Sequence, residues 1–209
     1  TYVIGVATNR DAWVSGFSKE KVSINMQSMI AFYNQLIGKS DISTDDKKIS
    51  WTVNLKKDHE KRAIHHFDAN TFVISSYRPF NKVVLYYHRP FIERPGLWKQ
   101  LFPTDNYNNN VIAVSGVGQQ KPFTPFITNR ISDLQVVDKA QYFPLFWYEE
   151  NKNPQASLFD DAETNHYIRR DGITDWILKE IRNRFGGTRA ITKEHIFYYV
   201  YGLLHSKQY

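Results

Sequence analysis

The sequence predicts an α+β fold: a mixed or antiparallel sheet with an N-terminal amphipathic helix and C-terminal helices. Apolar residues recur with a helical period towards both ends of the chain, and short runs of β-branched and aromatic residues lie between them. Because the strand candidates are grouped rather than alternating with helices, a regularly alternating parallel sheet is not expected. With 209 residues, of which 42% are hydrophobic, the chain is predicted to form a single domain over residues 1–209.

The first predicted elements are a short strand at residues 2–6 and a long helix from Ser18 to Gly38. Serine is a preferred N-cap residue, and glycine commonly ends a helix. The polar residues 38–46 that follow are interpreted as an exposed loop. The apolar face of the helix comprises Val22, Met26, Met29, Ile30, Tyr33, Leu36 and Ile37.

Strand candidates fill the middle of the chain, and two further helices follow them. The strands are predicted at residues 72–76, 83–88, 111–117, 134–137 and 141–148. The first C-terminal helix carries Ile173, Trp176, Ile177, Ile181 and Phe185, with Gly186 and Gly187 as its stop. The second follows Thr192 and carries Ile196, Phe197, Tyr199, Val200, Leu203 and Leu204.

The composition excludes several function classes. The sequence contains no cysteine, which excludes a disulfide framework, a thiolate zinc site and a cysteine nucleophile. It has no apolar run near the roughly 18 residues that a membrane span requires, so no membrane partner is expected. The chain starts at Thr1 rather than at methionine, and its end at Tyr209 interrupts a helical pattern. We therefore expect it to be part of a longer polypeptide.

No motif of the sequence predicts a catalytic residue or a metal ligand. Residues 115–120 hold two glycines, but lack the third glycine of a dinucleotide loop and the Lys-Ser/Thr pair of a nucleotide-triphosphate loop. Four histidines between residues 59 and 88 lack a known ligand spacing. The acidic residues 160–163 follow a polar stretch and are interpreted as a solvated loop rather than an acid-base pair.

Positive charge is concentrated in two blocks of the chain. Residues 47–99 contain 11 Lys and Arg against 4 Asp and Glu, and residues 169–209 contain 8 against 4, within a net charge of +6. A one-sided basic surface is typical of proteins that bind polyanions, although a solvated basic face gives the same counts.

Residues 76–89 combine arginine, lysine and aromatic residues more densely than any other segment. Pro79 is expected to hold Arg78 in an extended conformation at the start of the following strand. There Arg78 is positioned to meet a phosphate or a guanine. The alternative is that Arg78 pairs with a carboxylate while the tyrosines of the segment fill the core of the sheet.

Motifs spread over nearly the whole chain resemble one known family. They are residues 8–14 (TNRDAWV), 49–52 (ISWT), 77–82 (YRPFNK), 131–133 (ISD), 143–148 (FPLFWY) and 196–206 (IFYYVYGLLHS). Each motif alone is weak, but together and in this order they resemble the C-terminal specificity (target-recognition) domain of Type ISP restriction-modification enzymes.

The resemblance implies that the chain is most of the target-recognition domain of a large polypeptide of the bacterial cytoplasm. The other domains would be a nuclease, a helicase-like ATPase and an adenine-N6 methyltransferase, which would use ATP, Mg and S-adenosylmethionine. This chain would be non-catalytic and would need no cofactor of its own. Its partners would be double-stranded DNA and the methyltransferase and helicase domains of the same polypeptide.

Under this interpretation, the basic and amide side chains are candidate DNA contacts. Phosphate contacts position a protein on DNA, and the candidates for that role are Lys56, Lys57, Lys61, Arg62, Lys82 and Arg94. Arginine reads guanine, and asparagine and glutamine read adenine. The candidates for base contacts are accordingly Arg78, Arg89, Asn108, Asn109, Gln119, Gln120 and Lys121.

The sequence leaves two alternatives open. In one, the chain is a catalytic fragment of the methyltransferase or nuclease, which bound S-adenosylmethionine or a divalent metal would reveal. In the other, it is a structural coupling module that packs on the motor or methyltransferase without reading bases. A broad exposed apolar face would favour this coupling module, whereas a basic concave face would favour DNA recognition.

Overall fold

The structure, a computed structural model, describes residues 2–40, 42, 45–104, 106–152, 166–185 and 190–208. Its backbone contacts group into two compact units. The hairpin unit comprises Gly5–Gly96 and Ile131–Val136, and the sheet unit comprises Thr1–Ile4, Leu97–Arg130 and Val137–Tyr209. The predicted α+β class is confirmed, whereas a single domain over residues 1–209 stays a prediction.

Helices and strands alternate irregularly along the chain. In order they are β1 Val3–Ile4, α1 Asp11–Val14, β2 Ser15–Gly16, α2 Lys19–Leu36, α3 Val53–Glu60, β3 Phe72–Ser76, β4 Lys82–Tyr86, β5 Val111–Val114, β6 Phe126–Thr128, β7 Gln141–Pro144, β8 Phe146–Glu150, β9 Tyr167–Asp171, α4 Asp175–Arg184 and α5 Lys193–Leu204. The strands pair antiparallel in the orders β2-β4-β3, β1-β7-β5-β6 and β8-β9. Among the described residues, no helix is long and apolar enough to cross a membrane.

Helix α2 forms where the sequence predicts it. The Ser18 hydroxyl accepts a hydrogen bond from the Lys21 N–H at 3.2 Å, which caps the first turn. Six of the seven predicted apolar residues are buried, and the seventh, Ile37, is the C-cap. Gly38 follows with a φ of 82°, the left-handed conformation that glycine adopts without strain.

Helix α3 is not predicted by the sequence pattern. The helix is short, and Leu55 is its one buried residue, so it has no apolar period to detect. Its start is set instead by a cap, because the Thr52 hydroxyl accepts a hydrogen bond from the Leu55 N–H at 3.4 Å. Short helices of this kind depend on contacts made elsewhere in the fold.

Strands β3 and β4 form the central hairpin of the hairpin unit. The pairing runs from Phe72 opposite Tyr86 to Ser76 opposite Lys82. Beyond it, the Tyr77 N–H donates to the Asn81 carbonyl at 2.9 Å and closes a short turn.

The prediction that Arg78 is extended is wrong, because its φ is 59°. The chain reverses within the short β3–β4 turn, and a left-handed residue provides that reversal. The requirement overrides the ordinary preference of a residue before proline for extended backbone.

The prediction of a strand at residues 134–137 is also wrong. The extended backbone lies just before it, where residues 131–133 pass between Val6 and Ser76 in parallel bridges. At Asp133 the backbone turns, because its carboxylate accepts a hydrogen bond from the Gln135 N–H at 2.8 Å. A local side-chain acceptor therefore competes with strand pairing and ends the extended segment.

This insertion requires close approach of two backbones at Gly5. A Cβ atom placed on Gly5 would lie 2.4 Å from the Leu134 Cα, which is far inside van der Waals contact. The backbone bonds on either side, from Val6 N–H to the Ser132 carbonyl and from Leu134 N–H to the Val6 carbonyl, are both 2.8 Å long. Only glycine fits without displacing the segment that carries Asp133.

The sheet unit contains the four-stranded sheet and the β8–β9 pair. The sequence predicts one strand over residues 141–148, but the structure divides it into β7 and β8, which join different sheets. Leu145 lies between them, where its N–H donates to the Asn110 carbonyl at 2.8 Å and its carbonyl accepts from Gly172 at 2.7 Å. These bonds turn the chain out of the first sheet.

The two predicted C-terminal helices are confirmed as α4 and α5. The Thr174 and Thr192 hydroxyls cap their first turns. Phe197 of α5 packs with Ile112 and Leu145 in the core of the sheet unit. The predicted stop at Gly186 and Gly187, the acidic loop 160–163 and part of the loop 38–46 lie outside the described residues.

We expect Gly5→Ala to lower the free energy of unfolding by about 1–3 kcal/mol, the usual cost of forcing an added methyl group into packed structure. Gly202→Ala is the matched control, because nothing lies within 4 Å of a Cβ at that position of α5. Alanine there should stabilise the helix by up to about 1 kcal/mol. Chemical denaturation of both variants measures the difference. Equal stability of Gly5→Ala and the unchanged chain would contradict the close approach.

Candidate nucleic-acid interface

The hairpin unit contains a polar cleft of about 560 Å³. Its walls come from the segment after Val6, from the start of α1, from the β3–β4 turn and from the inserted residues around Asp133. Its polar lining includes Thr8, Arg10, Asp11, Arg78 and Asp133. The cleft thus brings together residues from four of the motifs on which the family resemblance rests.

Arg78 lies between two carboxylates at this cleft. Its Nη1 donates to the Asp133 Oδ1 at 2.8 Å, and its Nη2 lies 3.9 Å from the Asp11 Oδ2. The guanidinium also stacks on the Tyr77 ring, 4.6 Å from the centroid. The carboxylate pairing considered from the sequence is therefore present, yet 42% of the Arg78 side chain remains exposed. The exposed part leaves room for a contact with DNA.

Asp11 and Asp133 are themselves held by neighbouring groups. The Tyr77 hydroxyl donates to the Asp11 Oδ2 at 3.1 Å, and the Thr8 hydroxyl donates to the Asp11 Oδ1. Burial raises the pKa of the Asp133 carboxyl, although the bond from the Gln135 N–H and the charge of Arg78 oppose that rise. Burial also raises the pKa of the Tyr77 hydroxyl, and the charge of Asp11 adds to that rise. The contacts of Asp11, Asp133 and Tyr77 fix the position of the Arg78 guanidinium.

Arg10 is a structural cation that the sequence does not identify as such. It is 4% exposed. Its Nη2 donates to the Thr52 hydroxyl at 2.6 Å, and its Cζ lies 5.8 Å from the centroid of the Phe91 ring. Burial lowers the pKa of Arg10 to about 10, and Glu93 opposes that shift. Arg10 therefore links the α3 cap to the core rather than presenting charge to a partner.

The remaining basic candidates of the hairpin unit are exposed. Lys56 and Lys57 lie on the outer face of α3, opposite the buried Leu55. Exposed positions of this kind suit phosphate contacts, which need charge at the surface rather than a shaped pocket. The exposed candidates also include Lys61, Arg62, Lys82, Arg89 and Arg94.

A contact between backbones places Arg94 beside the cleft. Its N–H donates to the Ala7 carbonyl at 2.8 Å, and the Ala7 N–H donates back to the Arg94 carbonyl at 3.0 Å. The adjacent Glu93 carbonyl accepts from the Asn54 side chain at 2.9 Å, which brings the start of α3 to the same place. The structure therefore places the backbone of Arg94 next to Ala7, a residue of the cleft wall, and the start of α3 next to Glu93.

The sheet unit contributes a loop between β5 and β6 with three candidate base contacts. Gln120 and Lys121 are exposed and Gln119 is half-buried. The Asp138 Oδ2 accepts hydrogen bonds from the Gln120 and Lys121 N–H groups at 2.5 and 3.1 Å. These bonds lower the pKa of the Asp138 carboxyl. The backbone is thus held at Gln120 and Lys121, whose side chains are exposed.

The backbone next to these residues is packed tightly. A Cβ on Gly116 would lie 2.0 Å from the Lys139 carbonyl oxygen, so only glycine fits there. The Gly118 carbonyl accepts a hydrogen bond from the Lys139 ammonium, and Gly118 has a φ of 75°. The two glycines that the sequence shows in this segment serve turn geometry and close packing.

Asn109 is not available as a base contact, in contrast to its neighbour Asn108. It is 4% exposed, and its Nδ2 donates to the Leu101 and Phe146 carbonyls at 3.2 and 2.7 Å. Its Oδ1 accepts from the Phe146 N–H at 3.1 Å. The prediction of a DNA contact is therefore corrected to a structural role at the start of β8. Asn108 is exposed and stays a candidate.

The candidates divide between the two units. The lysines and arginines before residue 96 belong to the hairpin unit, whereas residues 108–121 belong to the sheet unit. Within the described part of the chain, no three His, Asp or Glu side chains are grouped as a metal ion would require.

The family model of the Type ISP C-terminal specificity domain matches residues 1–209. The chain belongs to this family. No curated protein matches it. Its specificity-domain fold is shared by solved structures that contain DNA.

An ATP-dependent Type ISP restriction-modification enzyme, LlaBIII bound to DNA, matches 100% of the chain with 31% identity and a TM-score of 0.83. The DrdV–DNA complex matches 99% with 28% identity and a TM-score of 0.82. A nuclease-deletion mutant of the Type ISP enzyme LlaGI with a DNA substrate mimic matches 100% with 32% identity and a TM-score of 0.75. The chain spans 13%, 19% and 15% of the lengths of these three proteins, respectively.

We expect Arg78→Ala to lower the free energy of unfolding by about 1–2 kcal/mol, because Asp133 loses its cation but the pair is only partly buried. If the exposed part of Arg78 also reads a base, specific binding should weaken by about 1–3 kcal/mol and preference should relax at one position. Arg89→Ala, at an exposed position, is the control and should change both quantities less.

Melting curves and DNA titrations on the same preparations separate the two effects of Arg78→Ala. A lowered melting temperature with unchanged affinity of the folded protein would rule out a DNA contact for Arg78.

Proposed function

We propose that this chain recognises a specific DNA sequence on behalf of catalytic domains that lie elsewhere on the same polypeptide. The observation that carries the proposal is the match of the whole chain to a specificity-domain family, together with three DNA-containing structures of the same fold at 28–32% identity. Recognition needs phosphate and base contacts. The exposed basic residues of the hairpin unit and the β5–β6 loop of the sheet unit, whose backbone donates to Asp138, can supply them.

The two units offer different kinds of contact. Lysines such as Lys56, Lys57 and Lys82 are exposed ammonium groups, which neutralise phosphates and carry little sequence information. Gln119 and Gln120 are amides in the β5–β6 loop, where the Gln120 N–H donates to Asp138, and an amide can bond both the N6 and N7 of adenine. Because a fixed backbone loses less entropy on binding, the β5–β6 loop suits base reading.

The proposed catalytic partners are an adenine-N6 methyltransferase, a helicase-like ATPase and a nuclease, with S-adenosylmethionine, ATP and Mg as their cofactors. The chain would direct these activities to one site on duplex DNA in the bacterial cytoplasm. It would contribute no catalytic residue itself.

A structural coupling module is the second candidate, and one observation favours it. The C-terminal helices of the sheet unit expose large apolar side chains: Trp176 is 69% exposed, Tyr199 66% and Leu203 46%. Exposed apolar surface of this kind commonly marks a protein contact. The two candidates differ in the expected effect of the lysines, because a coupling module has no need of phosphate contacts.

We expect the full polypeptide to bind duplex DNA with an affinity that falls steeply between about 50 and 200 mM salt, since phosphate contacts release counterions. Lys82→Ala should weaken binding to all sequences alike and reduce the salt slope by about one unit. Lys21→Ala, an exposed lysine outside the basic block, is the control. A salt-insensitive affinity, or equal effects of the two variants, would favour the coupling module.

We expect Asp138→Ala to lower the preference for the target sequence over random duplex, because the β5–β6 loop loses the acceptor for two backbone N–H groups. Asp138→Asn removes the charge but keeps an acceptor oxygen, so it should retain more of the preference. Competition titrations with target and random duplexes measure the ratio. A preference that is unchanged in Asp138→Ala would remove this loop from the recognition surface.

A further inference from the structure

The inserted segment that carries Asp133 also carries an amide side chain, two residues further on. Gln135 lines the polar cleft of the hairpin unit and is exposed. Among the described residues, its side-chain amide has no hydrogen-bond partner. A glutamine amide has two N–H donors and one acceptor oxygen. Both kinds of group are therefore available to a partner of the chain.

The backbone on either side of this amide is fixed. The Gln135 N–H donates to the Asp133 Oδ1 at 2.8 Å. Before it, the Leu134 N–H donates to the Val6 carbonyl at 2.8 Å, and after it, Val136 is only 1% exposed. The amide is thus attached to a held backbone, which reduces the entropy that is lost when the side chain binds.

The charges of the cleft disfavour a phosphate as its partner. Three aspartates line it, Asp11, Asp46 and Asp133, against two arginines, Arg10 and Arg78. Arg10 is 4% exposed, and Arg78 is already paired with Asp133. The remaining negative charge repels a phosphate. The amino groups of bases, in contrast, are hydrogen-bond donors that carboxylate and amide oxygens accept.

The amide of Gln135 matches the edge that adenine presents in the major groove. Its oxygen can accept from the N6 amino group while its nitrogen donates to N7, and no other base presents this pair of groups. Cytosine and thymine lack N7, and guanine has an acceptor where adenine has the amino group. A fixed amide in a cleft that repels phosphate is therefore suited to reading a base.

We propose that Gln135 reads one adenine of the recognised DNA sequence by bonding its N6 and N7 atoms. This inference rests on the proposed function and deepens it, because it names a specificity-determining residue and the base that it contacts. Gln135 belongs to the hairpin unit, so this contact is separate from those proposed for the β5–β6 loop of the sheet unit.

The test uses the full polypeptide and a duplex that contains the motif it methylates. Each adenine of the motif is replaced in turn by 7-deazaadenine, which keeps the N6 amino group but lacks the N7 acceptor. The unchanged polypeptide should lose about tenfold in affinity at the adenine that Gln135 reads. Gln135→Ala should bind the natural duplex about tenfold more weakly, and 7-deazaadenine at that adenine should then cause no further loss.

Gln27→Ala is the matched control, because Gln27 is an exposed glutamine of α2 and is not a residue of the cleft. It should keep the affinity of the unchanged polypeptide and the full loss at the same adenine. Gln135→Glu keeps the size of the side chain but removes the donor to N7. It should weaken binding to the natural duplex and shift the preference at that position towards cytosine, whose N4 amino group donates to a carboxylate.

Two outcomes would overturn the proposal directly. One is the same response to 7-deazaadenine at every position in Gln135→Ala and in the unchanged polypeptide, and the other is the absence of any sensitive adenine. Equal losses of affinity for the motif and for random duplex in Gln135→Ala would overturn it as well, since Gln135 would then support the fold or contact another domain.

The same titrations separate this proposal from the proposed function. Absence of any preference of the unchanged polypeptide for its motif over random duplex would overturn DNA recognition itself. A clear preference, with a response to 7-deazaadenine that Gln135→Ala leaves unaltered, would overturn only the role of Gln135.

Discussion

Residues 131–134 pass between two segments that are distant in sequence, and the position of Asp133 depends on this insertion. The Val6 N–H donates to the Ser132 carbonyl at 2.8 Å, and the Asp133 N–H donates to the Ser76 carbonyl at 2.9 Å. The insertion brings the Asp133 carboxylate to Arg78, which is 55 residues away along the chain. The pair in turn anchors the β3–β4 turn.

Local signals in the sequence predict the elements whose stability is local. Helix α2 has a serine cap, an apolar face and a terminating glycine, and α5 has a threonine cap and its own apolar period. Strand β3 begins with the apolar, largely β-branched residues Phe72, Val73 and Ile74, and its predicted bounds match the structure. Each of these needs no knowledge of distant residues.

Predictions from the sequence are wrong where long-range contacts determine the backbone conformation. The extended conformation predicted for Arg78 is overridden by closure of the turn, and the strand predicted at residues 134–137 is replaced by the insertion before it. In the sequence, Asn109 is a candidate amide for a base contact. Its three bonds to Leu101 and Phe146 become visible only when those distant residues are placed beside it.

We propose that this chain, and not the catalytic domains, determines which sequence the polypeptide acts on. The most direct measurement exchanges residues 1–209 for the matching segment of another Type ISP enzyme and sequences the methylated adenines in cells that express the hybrid. We expect the methylated motif to become that of the donor of the segment, and the reciprocal hybrid to show the reverse change. A motif that stays with the methyltransferase in both hybrids would contradict it.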